Sequence, residues 1–138
     1  MTQKITVETK IAAPIEQVWH AWNTPEDITQ WNWASPDWHT PRASVDLRVG
    51  GAFLSRMEAK DGSFGFDFEG TYTNIVEHEL IETAFGDRTS SVKFSAGADG
   101  VTVQQTFDAE ETNSVEMQRS GWQAILENFK KHVESRRA

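Results

Sequence analysis

The longest helical pattern in the chain lies near its C-terminus, and it constrains what the rest of the chain can form. Apolar side chains recur on one face of this segment, at Trp122, Ile125, Leu126, Phe129 and Val133. A sheet has to bury its apolar face against another layer, and no other segment offers a comparably long helix. We therefore predict that a sheet built from the preceding residues twists and curves around this helix.

The first quarter of the chain shows a strand pattern followed by two short helical patterns. Residues 4–11 alternate apolar and polar side chains, which indicates a strand with one buried face. Pro14 suits the first turn of a helix, whose apolar stripe runs to Trp22. The run Asn23-Thr24-Pro25 supplies a capping residue and a first-turn proline for a second short helix, which carries Trp31. The tryptophans of these two helices are predicted core residues.

The middle of the chain reads as a series of strands. Residues 43–49 alternate again, and the next segment predicts a hairpin that turns at Asp61-Gly62. Its register places three pairs on one face: Met57 opposite Phe66, Ser55 opposite Phe68, and Phe53 opposite Gly70. Arg56 then faces Asp67 on the other side of the hairpin as a predicted ion pair. Two further glycine-containing turns complete a meander of about six antiparallel strands. A capping box of Asn113 with Glu116 is predicted to start the long helix.

Composition narrows the classes of function. The net charge of −8 disfavours nucleic acid and anionic membrane surfaces as partners, because both select basic proteins. The absence of cysteine excludes disulfides, thiolate metal ligands and a cysteine nucleophile. No apolar run reaches the roughly 18 residues of a membrane span, and the first residues lack the apolar core of a secretory signal. We expect a single cytoplasmic domain without membrane insertion.

A tryptophan-rich segment, WNWASPDWH at residues 31–39, interrupts the regular patterns. Trp33 and Trp38 fit no helical or strand period, because Ser35, Pro36 and Asp37 break it. Such a segment can form a lid whose aromatic rings face a cavity. Ordinary core packing explains the two tryptophans equally well, and both interpretations stay open.

Polar residues on the predicted inner face of the sheet point to a ligand. Ser55, Tyr72, Thr83 and Gln105 fall among aromatic neighbours, where each polar group needs a hydrogen-bond partner. A ligand or a trapped water could supply that partner. A mostly apolar cavity with a few polar groups is the usual form of a small-molecule site.

Catalytic signals are weak. The four histidines show no metal-ligand spacing, and the chain has no nucleophile elbow, phosphate loop or dinucleotide fingerprint. His39 is the best acid–base candidate because it lies near Asp37, Arg42 and Asp46. A surface histidine after a proline turn is the simpler interpretation. We expect no metal, no cofactor and no catalytic residue, and we expect that the protein is not an enzyme.

Four segments carry a resemblance to a known family: IAAPIEQVWHAWNTPEDITQW, DLRVGGAF, DFEGTYTNIVEHELIETAF and SGWQAILENFKKHVE. Together they resemble the helix-grip superfamily that includes the START-type lipid-transfer domains (SRPBCC). Within it, the chain is most similar to the branch named for the activator of heat-shock protein ninety ATPase, homologue-1-like, and it also resembles polyketide cyclases. The resemblance covers essentially the whole chain, and it implies a helix-grip fold with a ligand-sized cavity.

We therefore predict an α+β helix-grip domain over residues 1–138. A curved antiparallel sheet of six to seven strands wraps a long C-terminal helix, with two short helices after the first strand. Its predicted function is to bind a small hydrophobic or aromatic molecule, of the lipid-like kind, between helix and sheet. The predicted ligand-binding residues are Trp33, Trp38, His39, Phe53, Ser55, Met57, Phe66, Phe68, Tyr72, Thr83, Phe85, Phe94, Gln105, Trp122, Ile125 and Phe129.

Two alternatives for the function stay open. The first is an interaction module like the chaperone-ATPase activators, with a chaperone as partner. The second is a cyclase- or hydrolase-like enzyme that uses His39 with Asp46. A homodimer is also left open.

Overall fold

A seven-stranded antiparallel sheet forms the body of the molecule in the computed structural model, which describes residues 3–135. The strands are β1 (Lys4–Ile11), β2 (Trp38–Val45), β3 (Ala52–Ala59), β4 (Gly65–Val76), β5 (Leu80–Phe85), β6 (Arg88–Gly97) and β7 (Gly100–Asp108). The helices are α1 (Ile15–Asn23), α2 (Pro25–Ile28) and α3 (Val115–Ser135). Consecutive strands from β2 to β7 are neighbours in the sheet, and β1 pairs with β7 at one edge. The order is therefore β1-β7-β6-β5-β4-β3-β2. The sheet curls around α3, so the predicted helix-grip fold is confirmed.

Helix α3 is fixed against the first strand by both apolar and polar contacts. Its residues Leu126 and Phe129 are fully buried, and each contributes about 2 kcal/mol through removal of apolar surface from water. The Gln123 side chain donates to the carbonyl of Glu8 at 2.9 Å, and the Glu134 carboxylate accepts from the Ala12 N–H at 2.9 Å. These contacts hold α3 against β1, which is an edge strand of the sheet. Among residues 3–135, no helix is both long and apolar enough to cross a membrane.

The predicted register of the long hairpin is confirmed. Strands β3 and β4 pair with Met57 opposite Phe66, Ser55 opposite Phe68, and Phe53 opposite Gly70. On the outer face, Arg56 Nη1 lies 3.4 Å from Asp67 Oδ1, as predicted, and its Nε donates to Glu58 at 2.9 Å. The alternation of side chains and the glycine turn were sufficient to define this pairing.

The predicted strand at residues 43–49 is wrong at both ends. Strand β2 starts earlier, because it passes through Pro41 with a register shift between His39 and Arg42, and proline hides a strand from pattern reading. It also ends at Val45. The next residues turn back on themselves, with the Arg48 N–H donating to the Asp46 carbonyl at 2.8 Å.

The ends of the helices also differ from the prediction. Helix α3 is capped by Ser114, whose Oγ accepts from the Met117 N–H at 3.1 Å, and not by Asn113. Asn113 instead donates through its backbone N–H and its Nδ2 to Glu110 Oε1, at 2.7 Å each. Pro14 precedes α1 in an extended conformation, so it is outside the first turn. The Thr24 hydroxyl donates to the His20 carbonyl and therefore closes α1 without capping α2.

Candidate ligand-binding cavity

A cavity of about 440 Å³ lies between α3, the short helices and the inner face of the curled sheet. Most of the predicted ligand-binding residues line it: Phe53, Ser55, Met57, Phe66, Phe68, Tyr72, Thr83, Phe85, Gln105, Trp122 and Ile125. Its volume falls within the range of about 300–1,000 Å³ that is usual for small-molecule sites. The inner face of this sheet is therefore only partly filled by side chains.

Aromatic side chains form the apolar wall of the cavity. The Trp122 ring stacks on Phe107 at 3.7 Å between centroids and 10° between planes, which fixes the indole of α3 against the sheet. Phe68 meets Phe85 edge to face at 5.2 Å, and Phe53 lies 5.7 Å from Phe68. Aromatic pairs in these geometries contribute about 0.5–1.5 kcal/mol each beyond the burial of their surface, so the wall is stabilised by its own contacts.

A polar stripe crosses the sheet wall of the same cavity. Tyr72 of β4 lies opposite Thr83 of β5, and Thr83 lies opposite Ser90 of β6. Ser55 and Gln105 flank the stripe, and both are less than a tenth exposed. No hydrogen bond joins any of these five side chains to another group within residues 3–135. Their polar atoms are open to the cavity, since the one fully buried side-chain polar atom without a partner in that range is Asn23 Oδ1. The stripe thus presents unused donors and acceptors to the cavity.

The environment of Tyr72 keeps its phenol neutral. Burial raises the pKa of Tyr72 to about 12, and the nearby charge of Asp46 adds to the effect. The hydroxyl therefore remains both a hydrogen-bond donor and an acceptor at neutral pH.

Two of the predicted residues lie behind the cavity wall. Phe129 packs against Trp22 and Trp31, with ring centroids 4.9 and 4.8 Å apart, and does not line the cavity. Phe94 contacts Trp19 at 5.2 Å in the same buried layer. Trp22 and Trp31 themselves reach the cavity, although the helical stripe predicted them as core residues. The reason is that the indoles are long enough to span from the core layer to the free space.

The segment at residues 31–39 reaches the cavity only at its start, through Trp31 and Asn32, and not through the two tryptophans that were predicted to face it. Trp33 does not line it, and its carbonyl accepts from Asn128 Nδ2 at 2.7 Å, which ties the segment to α3. Trp38 starts β2 and contacts Phe64 and Phe66 at about 6 Å, at the turn end of the β3–β4 hairpin. Regular pairing with β3 therefore determines where this tryptophan points.

His39 lies on the outer face of the sheet. It pairs with Glu58, and its Nε2 is 3.8 Å from Glu58 Oε1. The Asp46 carboxylate accepts from Arg48 Nε at 3.0 Å and does not line the cavity. Within residues 3–135, no group of three or more His, Cys, Asp or Glu side chains is arranged to hold a metal ion.

Two groups of polar lining residues were not predicted. Arg88 and Ser90 line the cavity from the start of β6, and Glu110, Asn113 and Gln118 line it from the junction of β7 and α3. Arg88 follows the glycine turn at Gly86 and so has the sequence signal of a turn residue, yet it is the first residue of β6 and shares the inner face with Ser90 and Val92. Gln118 had no sequence signal. Its side chain bonds to both the N–H and the carbonyl of Glu110, at 2.8 and 3.1 Å, which only the folded loop brings together.

A second group of polar side chains lies outside the cavity and joins two helices. His132 of α3 and Asp27 of α2 are both buried, with 2.8 Å between Nε2 and Oδ1. The exposed His20 of α1 lies 3.6 Å from the other oxygen of Asp27. This group connects the short helices to α3.

A curled sheet that grips one long helix places this protein in the helix-grip class of folds. The family model described as activator of Hsp90 ATPase homolog 1-like protein matches residues 12–134. The chain therefore belongs to that family, as the sequence predicted. No curated protein matches the chain.

Solved structures agree with this assignment. The AHSA1-like protein from Aeromonas hydrophila is 48% identical with a TM-score of 0.90, over 96% of this chain and 93% of that one. A Cytophaga hutchinsonii protein is 48% identical with a TM-score of 0.83, over 96% and 92% of the two chains. A Nitrosomonas europaea protein has a TM-score of 0.83 at 18% identity, over 97% and 96%, which shows the fold alone.

Proposed function

We propose that the protein binds one small hydrophobic or aromatic molecule in the cavity between α3 and the sheet. The observation that carries the proposal is the stripe of unpartnered polar groups, Tyr72, Thr83 and Ser90, in a space of about 440 Å³ walled by aromatic rings. A core that served only stability would gain by filling this space with apolar side chains.

Binding in this proposal has an apolar and a polar component. The aromatic wall removes the ligand from water, and each 100 Å² of apolar surface buried contributes about 2.5 kcal/mol before the entropy of association is subtracted. The hydroxyls of Tyr72 and Thr83 and the amide of Gln105 then orient the ligand, since a polar group of the ligand satisfies them. Trp33, Trp38, His39, Phe94 and Phe129 do not line the cavity, so direct contact with the ligand is assigned to the lining residues.

The test uses N-phenyl-1-naphthylamine, a neutral aromatic probe whose fluorescence rises in apolar surroundings. We expect one probe molecule per chain by native mass spectrometry. We also expect quenching of tryptophan emission by energy transfer, because Trp22, Trp31 and Trp122 line the cavity. Absence of saturable binding at the solubility limit of the probe would refute the proposal.

Contact with a chaperone is the second candidate. The observation in its favour is an exposed aromatic cluster at the turn end of the β3–β4 hairpin, where Phe64 is 61% and Phe66 is 43% exposed beside Trp38. The family name refers to an ATPase activator. Stimulation of a purified heat-shock protein ninety ATPase that is lost in Phe64→Ser would support this function, and no stimulation at a tenfold molar excess would refute it.

The enzyme alternative required His39 and Asp46 to face the cavity. His39 lies beside Glu58 on the outer face, and Asp46 is bonded to Arg48. The pair therefore does not meet the geometric condition for acting on a bound molecule.

A further inference from the structure

We infer that the ligand carries an anionic group and that Arg88 binds it, so that the cavity takes an aromatic organic acid in its ionised form. The inference rests on the proposed function, which places a small apolar molecule in the same cavity. It adds the charge of the ligand and the residue that recognises it.

The Arg88 guanidinium is held in a fixed position at the cavity. Its Nε and Nη2 donate to the Asp108 carbonyl at 3.0 and 2.9 Å, and its Cζ lies 4.9 Å from the centroid of the Phe85 ring. Both anchors are parts of the sheet, one in β7 and the other in β5. A guanidinium has five N–H groups, so the remaining ones are free to bind a further acceptor.

No carboxylate of the described chain neutralises Arg88. Arg42, Arg48 and Arg56 each have an acidic partner, at 3.9, 3.0 and 2.9 Å, whereas no Asp or Glu within residues 3–135 lies within 4.0 Å of the Arg88 nitrogens. The Asp108 carboxylate is next to Arg88 in space, but its oxygens bond to Lys4 and Thr89. In a chain with a net charge of −8, an arginine that faces a cavity without a carboxylate partner is unusual and needs an explanation.

One other charged residue lines the cavity. Glu110 lies in the loop after β7, and its Oε1 accepts two hydrogen bonds from Asn113, at 2.7 Å each. These bonds direct that oxygen toward the loop, and Glu110 forms no ion pair with Arg88 among the described residues. Its negative charge nevertheless repels an anion in the cavity, so removal of that charge should strengthen the binding of an anionic ligand.

The rest of the cavity limits the kind of anion. Arg88 is the one cationic side chain among the described lining residues, so the site suits a single negative charge and not a phosphate dianion. Ser90 is two residues further along the inner face of β6, and Thr83 lies opposite Ser90. A carboxylate or sulfonate on Arg88 therefore leaves the ring system of the same molecule beside the polar stripe and the Trp122 indole.

The experiment compares two probes that share one ring scaffold. They are 8-anilinonaphthalene-1-sulfonate, which is an anion, and N-phenyl-1-naphthylamine, which lacks the sulfonate and is neutral. We expect Arg88→Gln to weaken binding of the anion by about tenfold or more, because charge-assisted hydrogen bonds are lost. The affinity for the neutral probe should change by less than about twofold.

A matched control removes a positive charge from the same strand on the opposite face. Lys93 is exposed on β6, and Lys93→Gln should leave the affinities for both probes unchanged. Glu110→Gln keeps an acceptor for Asn113 and removes the opposing charge, so it should strengthen binding of the anion and leave that of the neutral probe as it was. This variant decides the question if circular dichroism shows that Arg88→Gln is misfolded.

Each outcome has one meaning. Equal effects of Arg88→Gln on the two probes, or no effect of either cavity variant on the anion, overturn the inference. An unmodified protein that binds only the neutral probe also overturns it and leaves the proposed function intact. Failure to bind either probe overturns both.

Discussion

Single residues on the inner face determine what this cavity can bind. The pattern of alternating side chains predicted that Ser55, Tyr72, Thr83 and Gln105 face inward, and the structure places all four at the cavity. The pattern could not predict that these four side chains lack hydrogen-bond partners, because that depends on whether side chains from distant strands are close enough to bond to them. Arg88 was missed for a related reason, since a charged residue after a glycine turn is normally solvated.

Tyr72 offers a direct measurement at this scale, because it is the one tyrosine of the chain. We expect its phenol to titrate near pH 12 in the folded protein, as burial disfavours the phenolate, against about 10 in the unfolded chain. The stabilising contribution is complete below about pH 10 and is lost as the pH rises toward 12, because the unfolded chain releases its proton first.

The measurement is the ultraviolet absorbance of the phenolate as the pH rises, with urea denaturation at about pH 9 and about pH 11. Tyr72→Phe is the control and should remove this part of the pH dependence. A folded protein whose tyrosine titrates at the unperturbed value would contradict the burial seen here.

At the scale of secondary-structure elements, regular pairing was predictable and the ends of elements were not. The β3–β4 register followed from side-chain alternation and one glycine turn, whereas the start of β2 was hidden by Pro41. The cap of α3 was placed one residue early, because Asn113 and Ser114 are both suitable capping residues. Only the position of the Glu110 carboxylate, which binds Asn113, separates the two.

Substitution of the cap tests the corrected start of α3. Ser114→Ala should lower the free energy of unfolding by about 1 kcal/mol, because the Met117 N–H loses its acceptor. Ser120→Ala is a matched change on the exposed face of the same helix, and it should be neutral or stabilising by up to about 0.5 kcal/mol. Chemical denaturation of both variants checks the prediction, and equal effects would argue against Ser114 as the cap.

The Asp27–His132 pair joins elements that are far apart in the sequence. Helix α2 has four residues and cannot be stable alone, so its position depends on contacts such as this one. We expect His132→Ala to destabilise the protein by about 1–3 kcal/mol, since it also leaves the buried carboxylate without this partner.

His20→Ala is the control for that variant. It removes the exposed histidine on the other side of Asp27 and should stay within about 0.5 kcal/mol of the unmodified protein. Thermal unfolding of Asp27→Ala, of His132→Ala and of the double variant measures the coupling between Asp27 and His132. Additive effects of Asp27→Ala and His132→Ala would show that the pair does not act as a unit.

At the scale of the whole molecule, the sequence predicted the architecture more fully than it predicted the interior. One long amphipathic helix with one curved sheet leaves a single arrangement of layers. Whether the space between them is filled depends on small differences in curvature and side-chain length. Phe94 and Phe129 illustrate this, because they were predicted to face inward with the lining residues. They are instead packed behind the wall by Trp19 and Trp22 of α1 and by Trp31, which follows α2.

Filling the cavity separates ligand binding from stability. Thr83 lies in the middle of the polar stripe, where the free space beside it can accept a larger side chain. We expect Thr83→Phe to reduce binding of N-phenyl-1-naphthylamine by more than about tenfold, because the ring occupies the ligand's place. The free energy of unfolding should change by less than about 1 kcal/mol, since the new ring is buried without displacing its neighbours.

Val103→Phe is the matched control for this last prediction. Val103 is fully buried on the same side of the sheet but does not line the cavity, so the larger ring has no space to enter. Overpacking at such a position should destabilise the protein by about 1–3 kcal/mol or more. If Thr83→Phe proves as destabilising as Val103→Phe, the interior beside β5 is closely packed, and a ligand cannot bind there without opening the sheet from α3.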